Sequence, residues 1–134
     1  MSKRLVLIES PFAGDRARNI AYARAAMRDS LDRGEAPFVM YLHYPLVLDD
    51  DIQAERTTGI EAGLAWGAKA DLTAVYKDLG LSPGMKLGIQ RAWAEGRPVE
   101  ARQLPGWELG RDGNVDLDIL NVSFEEYKRE MRRK

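Results

Sequence analysis

The chain has no cysteine. Disulfides, zinc–thiolate centres and thiol nucleophiles are thereby excluded. It has a single histidine, His43, and with neither a second histidine nor a cysteine there is little from which to build a metal site. No run approaches the ~20 apolar residues that a membrane span needs, and Met-Ser-Lys-Arg leads directly into a strand, unlike a signal peptide. Neither sign of charge prevails: 20 basic residues stand against 21 acidic ones. That balance creates no field to draw in nucleic acid or an anionic membrane, so any phosphate recognition must be local. The expectation is a cytoplasmic protein acting on a small molecule, with no metal, no cofactor, no nucleic acid and no membrane partner.

What is present suits one compact domain spanning residues 1–134, since a chain of that length with 45% hydrophobic residues can bury a real core. Arg4 to Glu9 encloses a continuous apolar run of the kind buried on both faces of a parallel sheet. Ser-Pro-Phe-Ala-Gly-Asp follows and leads into a helix with Ile20, Ala23, Met27 and Leu31 at three- and four-residue spacing, closed by Gly34. Pro37 to Leu42 reads as a second strand, His43 to Asp51 as a long loop, and Ile52 to Gly67 as a helix burying Ile60 and Leu64. Asp71 to Tyr76 is a third strand. A helix from Ser82 ends in Glu-Gly-Arg-Pro-Val, a glycine C-cap running into another strand. Strands alternating with helices imply right-handed βαβ units and an α/β fold, a doubly wound, flavodoxin-like three-layer sandwich. Beyond Gln103, Leu104 to Val115 reads as a loop or hairpin and Asp118 to Val122 as a last strand. A final helix is expected from the Ser123–Glu126 capping box and the Phe124, Tyr127, Met131 stripe.

The opening Leu5-Val-Leu-Ile-Glu-Ser-Pro-Phe-Ala-Gly-Asp15, with Asn19-Ile20, and the later Ser82-Pro-Gly-Met-Lys-Leu-Gly-Ile-Gln-Arg-Ala-Trp-Ala-Glu-Gly-Arg-Pro-Val99 resemble the nucleoside 2-deoxyribosyltransferase-like superfamily. The nearest branch is the small, often phage-encoded one with a Ser-Pro-Tyr-x-Gly-Asp start. The resemblance runs from about residue 4 to residue 103. In that family the third helix reads G-x-x-x-E-I-x-x-A-x-x-x-G-K-P-V, and its Glu is the nucleophile. Alignment through Gly84, Ile89, Ala92, Gly96 and Pro98 puts Gly88 at the Glu position, and the other register puts Lys86 there. Neither is a carboxylate. Phe12 stands where close relatives have Tyr, which removes a further hydroxyl.

Ligands of open parallel sheets bind at the carboxyl ends of the strands, where strand order reverses. The loops carrying Glu9 to Asp15, Tyr41 to Asp50, and Lys77 to Gly84 should converge there. By the resemblance, Ser10, Pro11, Phe12, Gly14 and Asp15 form the loop that holds sugar or phosphate, the alternative being a tight strand-to-helix turn. Tyr41, His43 and Tyr44 offer rings on which a base could stack, or else cover the sheet edge. Asp49, Asp50 and Asp51 read either as a cation site or as a helix N-cap with acids in its first turn, where they offset the dipole, and Asp49 and Asp50 match an Asp-Asp pair of relatives. Ser82 with the amides of Gly84 and Met85 suits a phosphate or ribose cradle, and Gly88 lies beside it. Asp78, at the carboxyl end of the third strand, is the acid to consider for catalysis, whereas Asp71 at the amino end is structural. Trp66, Trp93, Met27 and Met85 read as core or subunit-interface residues.

The expected function is recognition of a nucleoside or nucleotide, with N-glycosidic hydrolysis or transfer as the enzymatic outcome. The alternative is a non-catalytic nucleotide-binding or structural protein reusing the fold. Self-association is expected, because relatives use helix faces near the site as oligomer contacts.

Overall fold

The structure, a computed structural model, describes residues 2–107. The expected final strand and helix lie outside these residues. Four parallel strands form the sheet: β1 (Leu5–Glu9), β2 (Ala36–Phe38), β3 (Leu72–Tyr76) and β4 (Val99–Arg102), in the order β2-β1-β3-β4. Three helices join them, α1 (Arg16–Asp32), α2 (Gln53–Gly67) and α3 (Pro83–Ala94). β1 pairs with β2 through Leu5–Ala36 and with β3 through Val6–Leu72. The chain therefore reverses direction across the sheet at β1, which creates a crevice at that strand's carboxyl end. The α/β layering is as expected.

Alternation along the strands decides which helix each residue meets. Val6, Ile8, Ala74 and Tyr76 pack with Tyr22, Ala23 and Ala26 of α1. On the opposite face Val75 packs with Met85, Ile89 and Trp93 of α3. α2 covers that same face through Gly67, since a Cβ there would come within 2.6 Å of Leu7. All five residues of β3 are buried, as a central parallel strand requires.

Some expectations need correction. The buried residues of α1 are Asn19, Tyr22, Ala23, Ala26 and Ser30, while Ile20 and Leu31 face outward. The helix is rotated relative to the apolar pattern because Asn19 and Tyr22 carry hydrogen bonds into the interior. Asn19 Nδ2 donates to the carbonyls of Phe12 and Ala13, which fixes the loop after β1. β2 stops at Phe38, and Met40–Leu42 and Tyr44–Leu46 form two short 3₁₀ turns in place of its expected extension and part of the loop. Ile60 and Leu64 are half-buried, and the fully buried residues of α2 are Gly63 and Gly67. The Asp49–Asp51 run does not cap α2: its first residue is preceded by Ile52, which makes no side-chain cap. Asp49 instead accepts from the Asp51 amide, and Asp50 and Asp51 lie 3.6 and 2.8 Å from Arg16. Trp93 is core, whereas Trp66 is 66% exposed.

A second polar group ties the α1 side together. Arg102 makes a two-pronged contact with Glu35 at 2.7 Å on each arm and also donates to Tyr76 and Glu100. Ser30 and Arg4 add donors to Glu35, whose carboxyl is held down at about 2, chiefly by the Arg102 guanidinium. Asp71 accepts from the Leu5 amide at 2.8 Å, which anchors β1 at its amino end.

Candidate functional site

A cavity of about 310 Å³ opens at the carboxyl end of β1, between α2 and α3. Glu9, the last residue of β1, forms its floor, and Met40 and Tyr41 enter from the turn after β2. α2 contributes the apolar side chains Ile60 and Leu64. α3 contributes Gly84, Leu87 and Gly88 along one wall, with Gln90, Arg91 and Ala94 further on. The volume lies at the lower end of the ~300–1,000 Å³ usual for small-molecule sites.

Two glycines of α3 shape this space. At Gly84 a Cβ would approach the Tyr41 hydroxyl to 3.1 Å, so the small residue lets the helix start lie against that ring. At Gly88 a Cβ would overlap the carboxyl group of Glu9, both of whose oxygens lie within contact distance. Gly88 thus leaves the gap that the Glu9 carboxyl occupies. Glu9 is 3% exposed, and its Oε2 is buried without a hydrogen-bond partner. Burial pushes its carboxyl up to about 8, against the opposing pull of Arg97. That guanidinium is itself held by Thr73 at 2.9 Å and Glu95 at 3.1 Å. The Tyr41 hydroxyl is also pushed up to about 12, by burial and then by the proximity of Glu9.

The residues singled out in the sequence fall into three groups. Tyr41, Gly84 and Gly88 line the cavity. Phe12 is buried and stacks on Tyr41 with ring centres 4.8 Å apart, its face also approached by Arg16. Ser10, beside Glu9, has a buried Oγ without a partner, and Pro11 is buried with it.

Gly14 and Asp15 are exposed: Gly14 takes a left-handed φ of 97° in the turn, and Asp15 caps α1 through the Arg18 amide. Asp50 lies in an adjoining recess with Tyr41 and Arg56, and Asp49 is exposed. Ser82 caps α3 by accepting from the Met85 amide at 3.2 Å. That amide is therefore already used, and the Met85 side chain is fully buried in the core.

Asp78 lies apart from the cavity. Its Oδ2 accepts from the Tyr22 hydroxyl at 2.7 Å and from the Leu104 amide at 2.8 Å, while its own amide donates to Tyr22. These bonds tie the β3 exit to α1 and to the segment after β4. Among the described residues no cluster of three or more His, Asp or Glu is arranged to hold a metal ion. None of the helices there is long and apolar enough to cross a membrane.

Glu9 is the site residue that sequence reading passed over, although it lies within the first converging loop. The available signal was a charge ending an otherwise apolar strand, a residue type rarely buried without a partner. Chemically, the arrangement offers a carboxyl whose protonated form burial favours, at the floor of a cavity that also presents Tyr41, Gln90 and Arg91.

Residues 4–102 match the family described as a domain of unknown function, DUF7768. The chain belongs to the DUF7768 family. No curated protein matches it. Among solved structures, a 2-deoxyribosyltransferase from Bacillus psychrosaccharolyticus superposes with a TM-score of 0.58 at 18% identity, over 94% of this chain and 89% of that one. A conserved protein from Enterococcus faecalis V583 gives 0.59 at 15% identity, over 96% and 99%. A CMP N-glycosidase from Clostridium botulinum gives 0.49 at 12% identity, over 96% and 98%, a likeness too remote to carry weight. At these identities the likeness is one of fold alone, and it assigns no residue a role.

Proposed function

We propose that this DUF7768 chain binds a nucleoside or nucleotide in the cavity between α2 and α3 and acts there on the N-glycosidic bond. The observation that carries this reading is the buried Glu9, whose Oε2 has no partner among the described residues, at the floor of a ligand-sized cavity, at the strand where sheet order reverses. The fold shared with a 2-deoxyribosyltransferase supports the substrate class. Tyr41, backed by Phe12, provides a face for a base; stacking of this kind is worth roughly 1–3 kcal/mol per base in single-stranded nucleic acid complexes. Ser10 is assigned to the sugar side on the resemblance of its loop; its hydroxyl is buried and makes no hydrogen bond among the described residues. Asp78 is assigned a structural part, since Tyr22 and Leu104 already engage it.

A second reading, binding without turnover, is favoured by one observation: α3 carries no carboxylate, and by the resemblance the nucleophile position falls on Gly88 or, in the other register, on Lys86. A single experiment separates the two. Thermal shift with nucleosides, nucleotides and nicotinamide or ADP-ribose compounds reports binding, since a ligand at 100 times its dissociation constant adds about 2.7 kcal/mol. Chromatography of the same mixtures reports free base. A stabilising compound that is also cleaved supports the enzyme, and one that is only bound supports the second reading. No shift with any compound removes both.

A further inference from the structure

We propose that Glu9 is the catalytic acid of this site, its carboxyl entering through the gap that Gly88 leaves in α3 and protonating the base that departs from an N-glycosidic bond. The proposal rests on the nucleoside reading above and adds the group that performs the chemistry. It is carried by geometry. A strand residue and a helix residue compete for one volume at the cavity floor, and in this chain the strand residue holds it. Glu9 lines the cavity, and its buried Oε2 has no hydrogen-bond partner among the described residues.

The charged groups around Glu9 fix the form in which it acts. Arg97, from the segment before β4, favours the carboxylate, but its guanidinium is shared with Thr73 and Glu95. Tyr41, from the turn after β2, holds its proton up to about 12 and stays uncharged at neutral pH. Arg91 on α3 lines the same cavity and lies 3.6 Å from Glu95. α2 presents only Ile60 and Leu64 to the cavity. Burial outweighs the cations, and the carboxyl carries its proton up to about pH 8. A protonated carboxyl is a poor nucleophile and a good donor.

In the step assigned to it, the Glu9 proton passes to the base nitrogen as the bond to the anomeric carbon breaks, and that bond's electron pair leaves with the base. A water oxygen then bonds to the anomeric carbon, and the proton it sheds returns to Glu9. The net reaction is hydrolysis, with no oxidant and no further reactant.

The test measures hydrolysis of 2′-deoxynucleosides and their 5′-monophosphates by chromatography from pH 5 to pH 10, with thermal shift as the binding readout. Wild type is expected to bind and to cleave, with a rate that falls above about pH 8. Glu9→Gln, which keeps the shape and hydrogen-bonding capacity, is expected to bind and to cleave at least ~100-fold more slowly, without the alkaline fall. Glu9→Asp, which keeps a carboxyl, is expected to recover part of the rate. The role of Glu9 is overturned if Glu9→Gln cleaves within a few-fold of wild type. It is equally overturned if the wild-type rate rises through pH 8, or if wild type binds a compound and never cleaves it. In each of those cases ligand binding stands. If wild type neither binds nor cleaves any member of the panel, the nucleoside reading falls with it.

Discussion

The carboxyl of Glu9 and the missing side chain of Gly88 occupy one and the same space: what the helix lacks, the strand supplies. An acid therefore remains at the cavity floor although α3 carries none. Because a Cβ at position 88 would meet the Glu9 carboxyl where it now lies, the two positions should also be coupled in stability.

Gly88→Ala tests that coupling. Gly lies inside α3, where Ala is normally better by ~1 kcal/mol. In a Glu9→Ala background that gain should appear. In wild type the new Cβ must displace the Glu9 carboxyl, so the substitution should be less favourable by about 0.5–3 kcal/mol, the range expected for residues in contact. Chemical denaturation of the four proteins measures this, and additive effects would show that the carboxyl moves aside at no cost.

The pH profile of stability should have a limb at each end. Glu9 has its carboxyl raised from 4.5 to about 8 in the folded state. Between those values the unfolded chain has lost a proton that the folded chain keeps, so stability falls as pH rises through this window. The full effect is on the order of 5 kcal/mol, and Glu9→Gln should abolish it. Glu35 behaves oppositely: its carboxyl is lowered to about 2, so its contribution is present above 4.5 and is lost as pH falls towards 2. Denaturation midpoints from pH 3 to pH 9 give both limbs, and an unchanged alkaline limb in Glu9→Gln would contradict the assignment.

Asp78 should behave as a structural residue. Tyr22→Phe removes the hydroxyl that Asp78 accepts from and donates to, leaving a buried carboxylate with the Leu104 amide as its remaining partner. The expected cost is about 1–3 kcal/mol. Cleavage and ligand binding, measured where the variant is fully folded, should change less than twofold. A large loss of turnover in a folded Tyr22→Phe protein would bring Asp78 back into the chemistry.

Self-association should involve the surface around Trp66. This side chain is 66% exposed and leans on Phe38, beside a recess of about 260 Å³ that also includes Leu5 and Pro37. Such a patch on an edge strand favours burial against another surface. Light scattering at tens of micromolar should give more than one copy for wild type and a lower mass for Trp66→Lys. Identical masses would place the contact elsewhere. Trp93 cannot serve, since it lies on the buried face of α3, packed with Val75 and Ile89.

The layering was legible because it rests on local signals. The apolar β1 run, the Ser82 cap and the Gly96 stop each act within a few residues, and each appears in the structure. The face of α1 was misread because the apolar spacing of Ile20 and Leu31 competes with Asn19 and Tyr22, whose hydrogen bonds depend on distant parts of the chain. The site was half legible for a similar reason. Tyr41, Gly84 and Gly88 fall where the loops converge, but Asp78 was singled out on its position at a strand end, and its partner Tyr22 lies on another element. Glu9 escaped notice because its meaning depends on a glycine far along the sequence, a relation that neither residue reveals alone.

The mutual exclusion of residues 9 and 88 also restricts the order in which such sites change over generations. A lineage moving its acid from helix to strand by single replacements would meet less crowding by emptying position 88 before filling position 9, because a Cβ at 88 meets the end of the Glu9 side chain. Its midpoint is a chain with the cavity and no acid at either position. The midpoint and the chain that follows it look alike to any inspection of the helix alone, and the residue that distinguishes them sits at the end of the first strand.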